Sequence, residues 1–396
     1  MDEPREPEPT PLGMPAGDIW GDVPLFREIQ RVLTSSTGPV NWELARQVGI
    51  ASASPSGEDP APSAEDQRSF EEAVRVAELH VADLTGLETP SDVARVEAVR
   101  RAQWVEANVR GLRMVLEPAA AKLGEAVTSA QAAAAPEGVP DAVAQMLSQV
   151  SPLLVGAQIG AVLGYLGQHV LGQYDIAVPR PEGSGALLFV VPNIVAFEKD
   201  WSLDRTEFRT WIALHEVTHR FEFSRSWAPA RFRELLENFL STLRLDVEEL
   251  GRRLGSIDPA DPEALRSLME GEDGLFGTVL DDEQRLKLRR IQAFMAAAEG
   301  YGDHVMHGVG LQLLSSYSQI DEAMRRYRES EQGDPVFERL LGIEMKRDQY
   351  RLGRAFCDAV ASQSDEPTLA RMWDSADAMP SLPELEEPTL WLSRIA

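Results

Sequence analysis

The sequence is poor in cysteine and in basic residues. Its 396 residues include a single cysteine, Cys357, so no internal disulfide and no cysteine-based zinc ribbon can form. Cys357 follows an apolar helical pattern, and we interpret it as a core thiol rather than a nucleophile. The 38 Lys and Arg residues face 64 Asp and Glu, which gives a net charge of -26. Because affinity for nucleic acid depends on neutralising phosphates, we expect no nucleic-acid partner.

The sequence also lacks a recognisable secretory signal and a convincing membrane span. Residues 1–18 are rich in Pro and acidic residues, have no basic segment followed by an apolar run, and are predicted to be disordered. A cytoplasmic location is the default expectation. Residues 142–174 contain no Asp, Glu, Lys or Arg, and Gly156, Gly160 and Gly164 have the spacing of closely packed membrane helices. Polar residues interrupt this stretch and no basic flank would orient it, so we predict a buried helix and no membrane insertion.

The remaining pattern is mainly helical. Apolar residues at helical spacing predict a series of helices at roughly 25–33, 42–48, 67–84, 90–108, 110–134, 227–254, 282–306 and 348–362, and a further helix that opens near residue 204. We divide the chain into a disordered acidic N-terminus (1–18), an N-terminal helical region (19–140) and a metal-binding region (141–396), the last two forming one compact unit. The predicted fold class is mainly α with a small β-sheet.

Chemistry is concentrated in His215-Glu216-Val217-Thr218-His219, an HExxH motif. In a helix, His215 and His219 lie one turn apart on one face and can hold a single zinc ion. Glu216 lies about 100° round the helix axis, where it is poorly placed as a ligand but well placed to act as general base on a metal-bound water. Asp204 and Glu207 resemble a capping box that opens this helix.

A catalytic zinc needs a third protein ligand and an open position. The continuation HExxHxxGxxH is absent, because Glu222 and Arg225 occupy the places of its Gly and third His. The best candidate is Glu299, with Asp303 four residues later as a carboxylate that holds a ligating imidazole. This Glu-x-x-x-Asp arrangement resembles the gluzincin pattern. An ordinary solvated carboxylate pair is the alternative, but the two glycines between them, at positions 300 and 302, suggest close approach of another backbone or of substrate.

Other polar residues near these motifs are weaker candidates. His304 lies about 140° round the helix from Glu299, so we do not expect it to bind the same ion unless the helix breaks at a glycine. His304 and Tyr301 are instead candidates to stabilise a developing oxyanion. The histidines interpreted as structural are His80, His169 and His307.

The strongest strand signal lies just before the motif helix, at residues 186–192. Pro192 cannot donate to a ladder, so it suits an edge strand or the end of a strand. An edge strand can bind an extended substrate by main-chain pairing, and Asn193, which follows it, is our candidate for a substrate-binding residue. A core strand followed by a turn asparagine is the alternative.

At these positions the sequence resembles a family of bacterial zincin-like hydrolases that was first classed as a domain of unknown function. Some members of that family are associated with biosynthesis of a deazaflavin coenzyme. The resemblance implies a mainly helical zincin-like fold and a metal-dependent hydrolase, and it implies no particular substrate. The segments that carry it are 172–175, 191–194, 214–219, 299–303, 305–306, 340–344 and 349–350.

Three functions remain open at this point. The first is a zinc-dependent hydrolase, a gluzincin-like metallopeptidase that cleaves an amide bond in a peptide or protein. The second is a non-catalytic binding or scaffold protein in which zinc stabilises the fold. A structural zinc needs a fourth protein ligand, for which His304 or Asp303 is nearby, and it has no use for Glu216, so the motif favours the enzyme. A role in handling the deazaflavin coenzyme is the third.

Overall fold

The structure is a computed structural model that describes residues 38–133, 141–174, 185–242, 282–330 and 343–395. The predicted disordered segment 1–18 and the predicted helix 25–33 lie outside these residues. The described chain is mainly helical, which confirms the predicted class. Its helices are α1 (Trp42–Ala53), α2 (Ala64–Thr85), α3 (Arg101–Ala133), α4 (Asp141–His169), α5 (Val191–Asp200), α6 (Arg205–Phe223), α7 (Trp227–Leu240), α8 (Asp282–Leu313), α9 (Tyr317–Ser330), α10 (Ile343–Gln363), α11 (Glu366–Ala370), a 3₁₀ turn (Arg371–Trp373), α12 (Leu382–Glu386) and α13 (Pro388–Ile395).

One three-stranded sheet accompanies the helices. It consists of β1 (Arg95–Val99), β2 (Gly172–Tyr174) and β3 (Ala186–Val190) in the order β1-β3-β2. β1 runs parallel to β3 and β2 runs antiparallel to it. The prediction of an edge strand at residues 186–192 is therefore wrong in position, because β3 is central and the edge strand next to α6 is β2. An unbroken apolar run is typical of a strand buried on both faces, and all five residues of β3 are buried.

Two predicted elements differ from those in the structure. Pro192 lies in the first turn of α5 rather than in a strand, a position where its missing N–H costs nothing. β1 occupies part of the predicted helix 90–108, because its pairing with β3 is a long-range interaction that helical periodicity does not register. The side-chain amide of Gln67 binds the outer edge of β1, donating to Val96 O (2.8 Å) and accepting from Ala98 N (2.9 Å). This glutamine therefore occupies backbone groups that a further strand would use.

The sheet separates two hydrophobic cores. Leu187 and Phe189 of β3 pack into the larger core, which also contains the inner faces of α2, α6, α8 and α10. Ala186, Leu188 and Val190, which alternate with them, pack into a smaller core shared with α1, α3 and α4. Because successive side chains of a strand point to opposite faces, one short apolar strand contributes side chains to both cores.

Helix α4 packs on α1 through its glycine stripe, as predicted. A Cβ atom added at Gly160 would lie 2.5 Å from the carbonyl oxygen of Ala45, and one added at Gly156 or Gly164 would also collide with α1. No helix in the described part of the chain combines the length and apolar character needed to cross a membrane. Helix α4 begins at Asp141 and contains Pro152 in its interior.

Helix α6 lies at the centre of the larger core, and fifteen of its nineteen residues are buried. The predicted N-cap forms, because the side chain of Asp204 accepts a hydrogen bond from Glu207 N at 2.9 Å. The reciprocal half of the capping box is not seen. Instead, the carboxylate of Glu207 accepts hydrogen bonds from Ser316 N (2.7 Å) and from the hydroxyl of Ser315 (2.5 Å), which ties the start of α6 to the end of α8.

Two fully buried arginines fix α6 against its neighbours. Arg209 binds Glu198 of α5 (2.8 Å) and Asp66 of α2 (2.9 Å), and Arg220 binds Glu78 of α2 (2.6 Å). A buried charge is tolerated where it is paired, and losing one partner typically costs about 3–5 kcal/mol. These pairs lie at the two ends of α6, so they set the face that the helix turns towards α8.

Candidate metal centre

The two motif histidines converge on one point. His215 and His219 project from the same face of α6, with ring planes at 80° to each other and ring centroids 4.6 Å apart. Their Nε2 atoms are 3.1 Å apart. This is the arrangement expected for residues one turn apart on a helix.

Glu299 brings a third ligand atom from α8. Its Oε2 lies 3.5 Å from Nε2 of His215 and 3.5 Å from Nε2 of His219. Three atoms spaced in this way lie about 2 Å from a common centre, which matches the length of zinc–nitrogen and zinc–oxygen bonds. The same oxygen is buried and has no hydrogen-bond partner among the described residues. Two imidazoles and one carboxylate therefore fit a zinc ion, and within the described residues these three form the group that could hold a metal.

Two glycines allow α8 to approach its neighbours closely, one towards α6 and one towards α10. A Cβ atom at Gly302 would lie 3.3 Å from the ring of His215 and 3.4 Å from that of His219. Gly300 packs directly against the backbone of Gly353 in α10. The close approach that the sequence suggested is thus made to the imidazoles on one side and to a second helix on the other.

Glu222 holds His219 in place, a role that the sequence analysis did not find. Its Oε2 lies 2.8 Å from Nδ1 of His219, and the side chain is fully buried. A carboxylate on the far nitrogen of a ligating imidazole fixes its orientation and raises its basicity. The signal was the spacing of three residues after His219, one helical turn further on. Asp303, the residue predicted for this kind of contact, is buried on α8, and its role stays a prediction.

Glu216 lies beside the ligands with its side chain buried. Its Oε2 accepts a hydrogen bond from the backbone N–H of Tyr174 in β2 at 2.7 Å. Burial raises the pKa of the Glu216 carboxyl, and the neighbouring imidazoles of His215 and His219 offset part of that rise. A carboxyl whose pKa moves towards neutrality is suited to exchange protons at physiological pH.

The opposite charges of the imidazoles and carboxylates shift the pKa values of Glu299 and His219. Burial favours the neutral form of Glu299, but the two imidazoles outweigh it and hold the pKa of Glu299 well below its ordinary value. Burial likewise disfavours a charged His219, yet the carboxylates of Glu222 and Glu299 raise the pKa of His219 well above its ordinary value. Glu299 is therefore kept in the ionised form that binds a cation.

The structure places the two oxyanion candidates in other contacts. The ring nitrogens of His304 lie 2.7 Å from Asp358 and 3.0 Å from Glu366. Tyr301 is 1 % exposed and packs edge-on against Trp373, with ring centroids 5.8 Å apart. Neither contact brings these residues to the converging ligand atoms, and the oxyanion role stays a prediction without support from them.

Asn193 is likewise engaged within the protein. Its Nδ2 donates to Gly167 O (3.0 Å) and Val170 O (2.6 Å), and its Oδ1 accepts from Arg101 Nε (2.6 Å). These bonds join the end of α4 to the start of α5. A substrate-binding role for Asn193 stays a prediction that these contacts do not favour.

Two other residues have the structural contacts expected of them. His307 Nδ1 lies 2.6 Å from the hydroxyl of Tyr317. Cys357 is fully buried and is part of the larger core. Neither residue belongs to the group of converging ligand atoms.

A helix that presents HExxH, with a glutamate from a second helix completing the ligand set, defines a zincin-like centre. The chain belongs to the family of zincin-like metallopeptidases, whose model matches residues 40–392. It is also similar to a solved structure from Chloroflexus aurantiacus described as "a putative hydrolase with a novel fold", at 31% identity and a TM-score of 0.63, over 90% of this chain and 98% of that one. A comparison with curated proteins found no match. Family and neighbour confirm the resemblance inferred from the sequence and support a hydrolase.

Proposed function

We propose that this chain is a zinc-dependent hydrolase that cleaves an amide bond, with a peptide or protein as substrate. The observation that carries the proposal is the convergence of three ligand atoms, from His215, His219 and Glu299, at 3.1–3.5 Å from one another, with the buried carboxylate of Glu216 beside them. No fourth His, Cys, Asp or Glu of the described chain joins this group. Three protein ligands suit a catalytic centre, which keeps a position for water or substrate, better than a structural one.

In this proposal each residue of the candidate site has a separate role. Bound zinc would lower the pKa of a coordinated water to about 7 and polarise the carbonyl of the substrate. Glu216 accepts the proton of the attacking water and passes it to the nitrogen of the leaving amine. Glu222 holds His219 so that its Nε2 faces the centre. Burial excludes bulk water from Glu216 and Glu222, which strengthens the electrostatic effect of each carboxylate.

The substrate class is drawn from the family, which is described as a zincin-like metallopeptidase. A cytoplasmic location and the division at residue 140 stay predictions. A non-catalytic scaffold is the function that the following experiment would favour if the proposal fails.

The test combines metal analysis with cleavage of a peptide library. We expect wild type to contain one zinc per chain and to cleave library members. Glu216→Ala should retain zinc and lose about 10²–10⁴-fold in turnover, since that is the usual contribution of a general base. His215→Ala should lose both zinc and turnover. If wild type contains stoichiometric zinc but leaves a broad library intact, the amide-hydrolase proposal fails.

A further inference from the structure

We propose that strand β2 positions the general base, and that the bare Cα of Gly172 and the backbone N–H of Tyr174 are the groups that do so. This inference rests on the proposed function, because it takes Glu216 as the base. No role was assigned to these residues by the motif, although they lie in a segment that resembles the family.

The first observation is the hydrogen bond from the strand to the base. β2 is an edge strand, with Tyr174 opposite Leu187 and Gly172 opposite Phe189 of β3. The N–H of Tyr174 donates to Glu216 Oε2 at 2.7 Å. In an edge strand such a donor can bind a further strand or a peptide. Here it binds the carboxylate of Glu216 instead.

The second observation is the lack of space at Gly172. A Cβ atom added at Gly172 would lie 2.6 Å from Oε1, 2.9 Å from Cγ and 3.0 Å from Cδ of Glu216. Gly172 is not among the glycines with positive φ, so its backbone conformation is open to alanine. The requirement at this position is space for the carboxylate of Glu216 rather than conformational freedom.

The strand itself is held firmly. Gln173, between the two positioning residues, pairs with Leu188 of β3. Its side-chain amide forms a reciprocal pair with Asn108 of α3, at 3.1 and 3.2 Å. The two contacts fix β2 from both sides, so its groups present a rigid surface to Glu216. A glutamate on a helix has several rotamers, and the strand favours the one in which Oε2 meets the N–H and the rest of the carboxylate packs on Gly172.

The consequence concerns catalysis rather than metal binding. The ligands come from α6 and α8, whereas β2 touches the base. Displacement of a catalytic group by about 1 Å can reduce turnover about 100-fold. Gly172→Ala should therefore retain zinc and reduce kcat about 100-fold while leaving KM little changed.

The experiment compares Gly172→Ala with Glu216→Gln and with Gly308→Ala as a matched control. An added methyl group at Gly308 would meet the side chain of Leu84 at 3.1 Å and would not contact Glu216. Each holoenzyme is measured for zinc content, thermal unfolding, kcat, KM and affinity for an aryl hydroxamate, which transfers a proton to the base when it binds the metal. If Gly172→Ala fails to fold, Tyr174 is replaced by the corresponding α-hydroxy acid, which removes the N–H and retains the side chain.

We expect Gly172→Ala to follow Glu216→Gln in kcat and hydroxamate affinity, with zinc content and unfolding like those of Gly308→Ala. If Glu216→Gln reduces turnover or hydroxamate affinity and Gly172→Ala (or the α-hydroxy acid replacement) does not, β2 does not position the base. If Glu216→Gln leaves both quantities unchanged, Glu216 is not the base, and the proposed function and this inference fail together.

Discussion

Helix α8 contributes one residue to each of two clusters of histidines and carboxylates. The two clusters contain the same types of side chain and differ in their geometry. In the metal cluster, Glu299 faces His215 and His219, and three ligand atoms converge within 3.5 Å. In the His304 cluster, consisting of His304, Asp358 and Glu366, each ring nitrogen of one imidazole contacts a different carboxylate. In the part of the chain that the structure describes, Glu299 Oε2 of the metal cluster has no hydrogen-bond partner, whereas both ring nitrogens of His304 have one.

The difference shows that residue type does not identify a metal site. Carboxylates on opposite nitrogens of one ring stabilise an imidazolium and present no common centre to an ion. Two imidazoles and a carboxylate oxygen that meet at one point leave room for a cation. We therefore interpret the metal cluster as a binding site and the His304 cluster as an ion pair that joins α8 to α10 and α11.

The largest expected effect comes from exchanging one glutamate in each cluster for alanine. Glu299→Ala removes a ligand, so it should weaken zinc binding by more than the roughly 10–100-fold that follows loss of an outer carboxylate. Glu366→Ala should leave zinc affinity at the wild-type value. Zinc affinity measured by competition with a chelator checks both. Equal losses in the two variants would abolish the distinction between the clusters.

A smaller effect is expected at Glu222, which forms a hydrogen bond with His219 of the metal cluster. Glu222→Gln retains a group that can bond to Nδ1 but removes its charge, so zinc affinity or turnover should fall about 10–100-fold. Asp358→Asn makes the corresponding change in the His304 cluster and should leave both quantities unchanged. A Glu222→Gln protein with wild-type affinity and turnover would show that the contact seen at 2.8 Å has no influence on the ligand.

The smallest effect is expected on the free energy of unfolding, when His304 of the His304 cluster is replaced. Burial lowers the pKa of His304, but Glu366 and Asp358 outweigh burial and raise that pKa above its ordinary value of 6.5. The ion pair therefore stabilises the folded state fully below about pH 6.5, and this contribution is lost as pH rises through the folded pKa. His304→Gln should reduce the free energy of unfolding by about 1–3 kcal/mol near pH 6 and by less at higher pH.

Chemical denaturation of wild type and His304→Gln across pH 5.5–9 measures this difference. Arg354 binds Asp358 in both proteins, but the charge of His304 is one of the causes that lower the pKa of His307, so the comparison is made with His307→Gln present in both proteins. A difference that grows with pH would contradict an ion pair at His304.

Some of the metal centre could be predicted from the sequence because it is local. The spacing of His215 and His219 places both rings on one face of any helix, and the position of Glu216 between them follows from the same geometry. The apolar run of β3, the N-cap at Asp204 and the glycine stripe of α4 are local patterns too, and each predicted an element or a packing face that the structure contains.

Other features depended on pairings between distant residues. The sequence favoured Asp303 as the carboxylate that holds an imidazole, and the structure shows Glu222 bound to His219. It predicted an edge strand at residues 186–192, whereas pairing with β1 on one side and β2 on the other makes β3 central. Nothing in the pattern of residues 172–174 indicated that this strand contacts Glu216.

The sequence by itself determined which side chains share a face of a helix, because 3.6 residues per turn relates near neighbours by fixed angles and distances. The tertiary structure alone decided which faces meet. Glu299 lies eighty residues from His219 along the chain, and its contact with the imidazoles depends on Gly302, which lets α8 pack closely on their rings, and on buried arginines that orient α6. Such contacts follow from the packing of the whole core, to which many distant residues contribute.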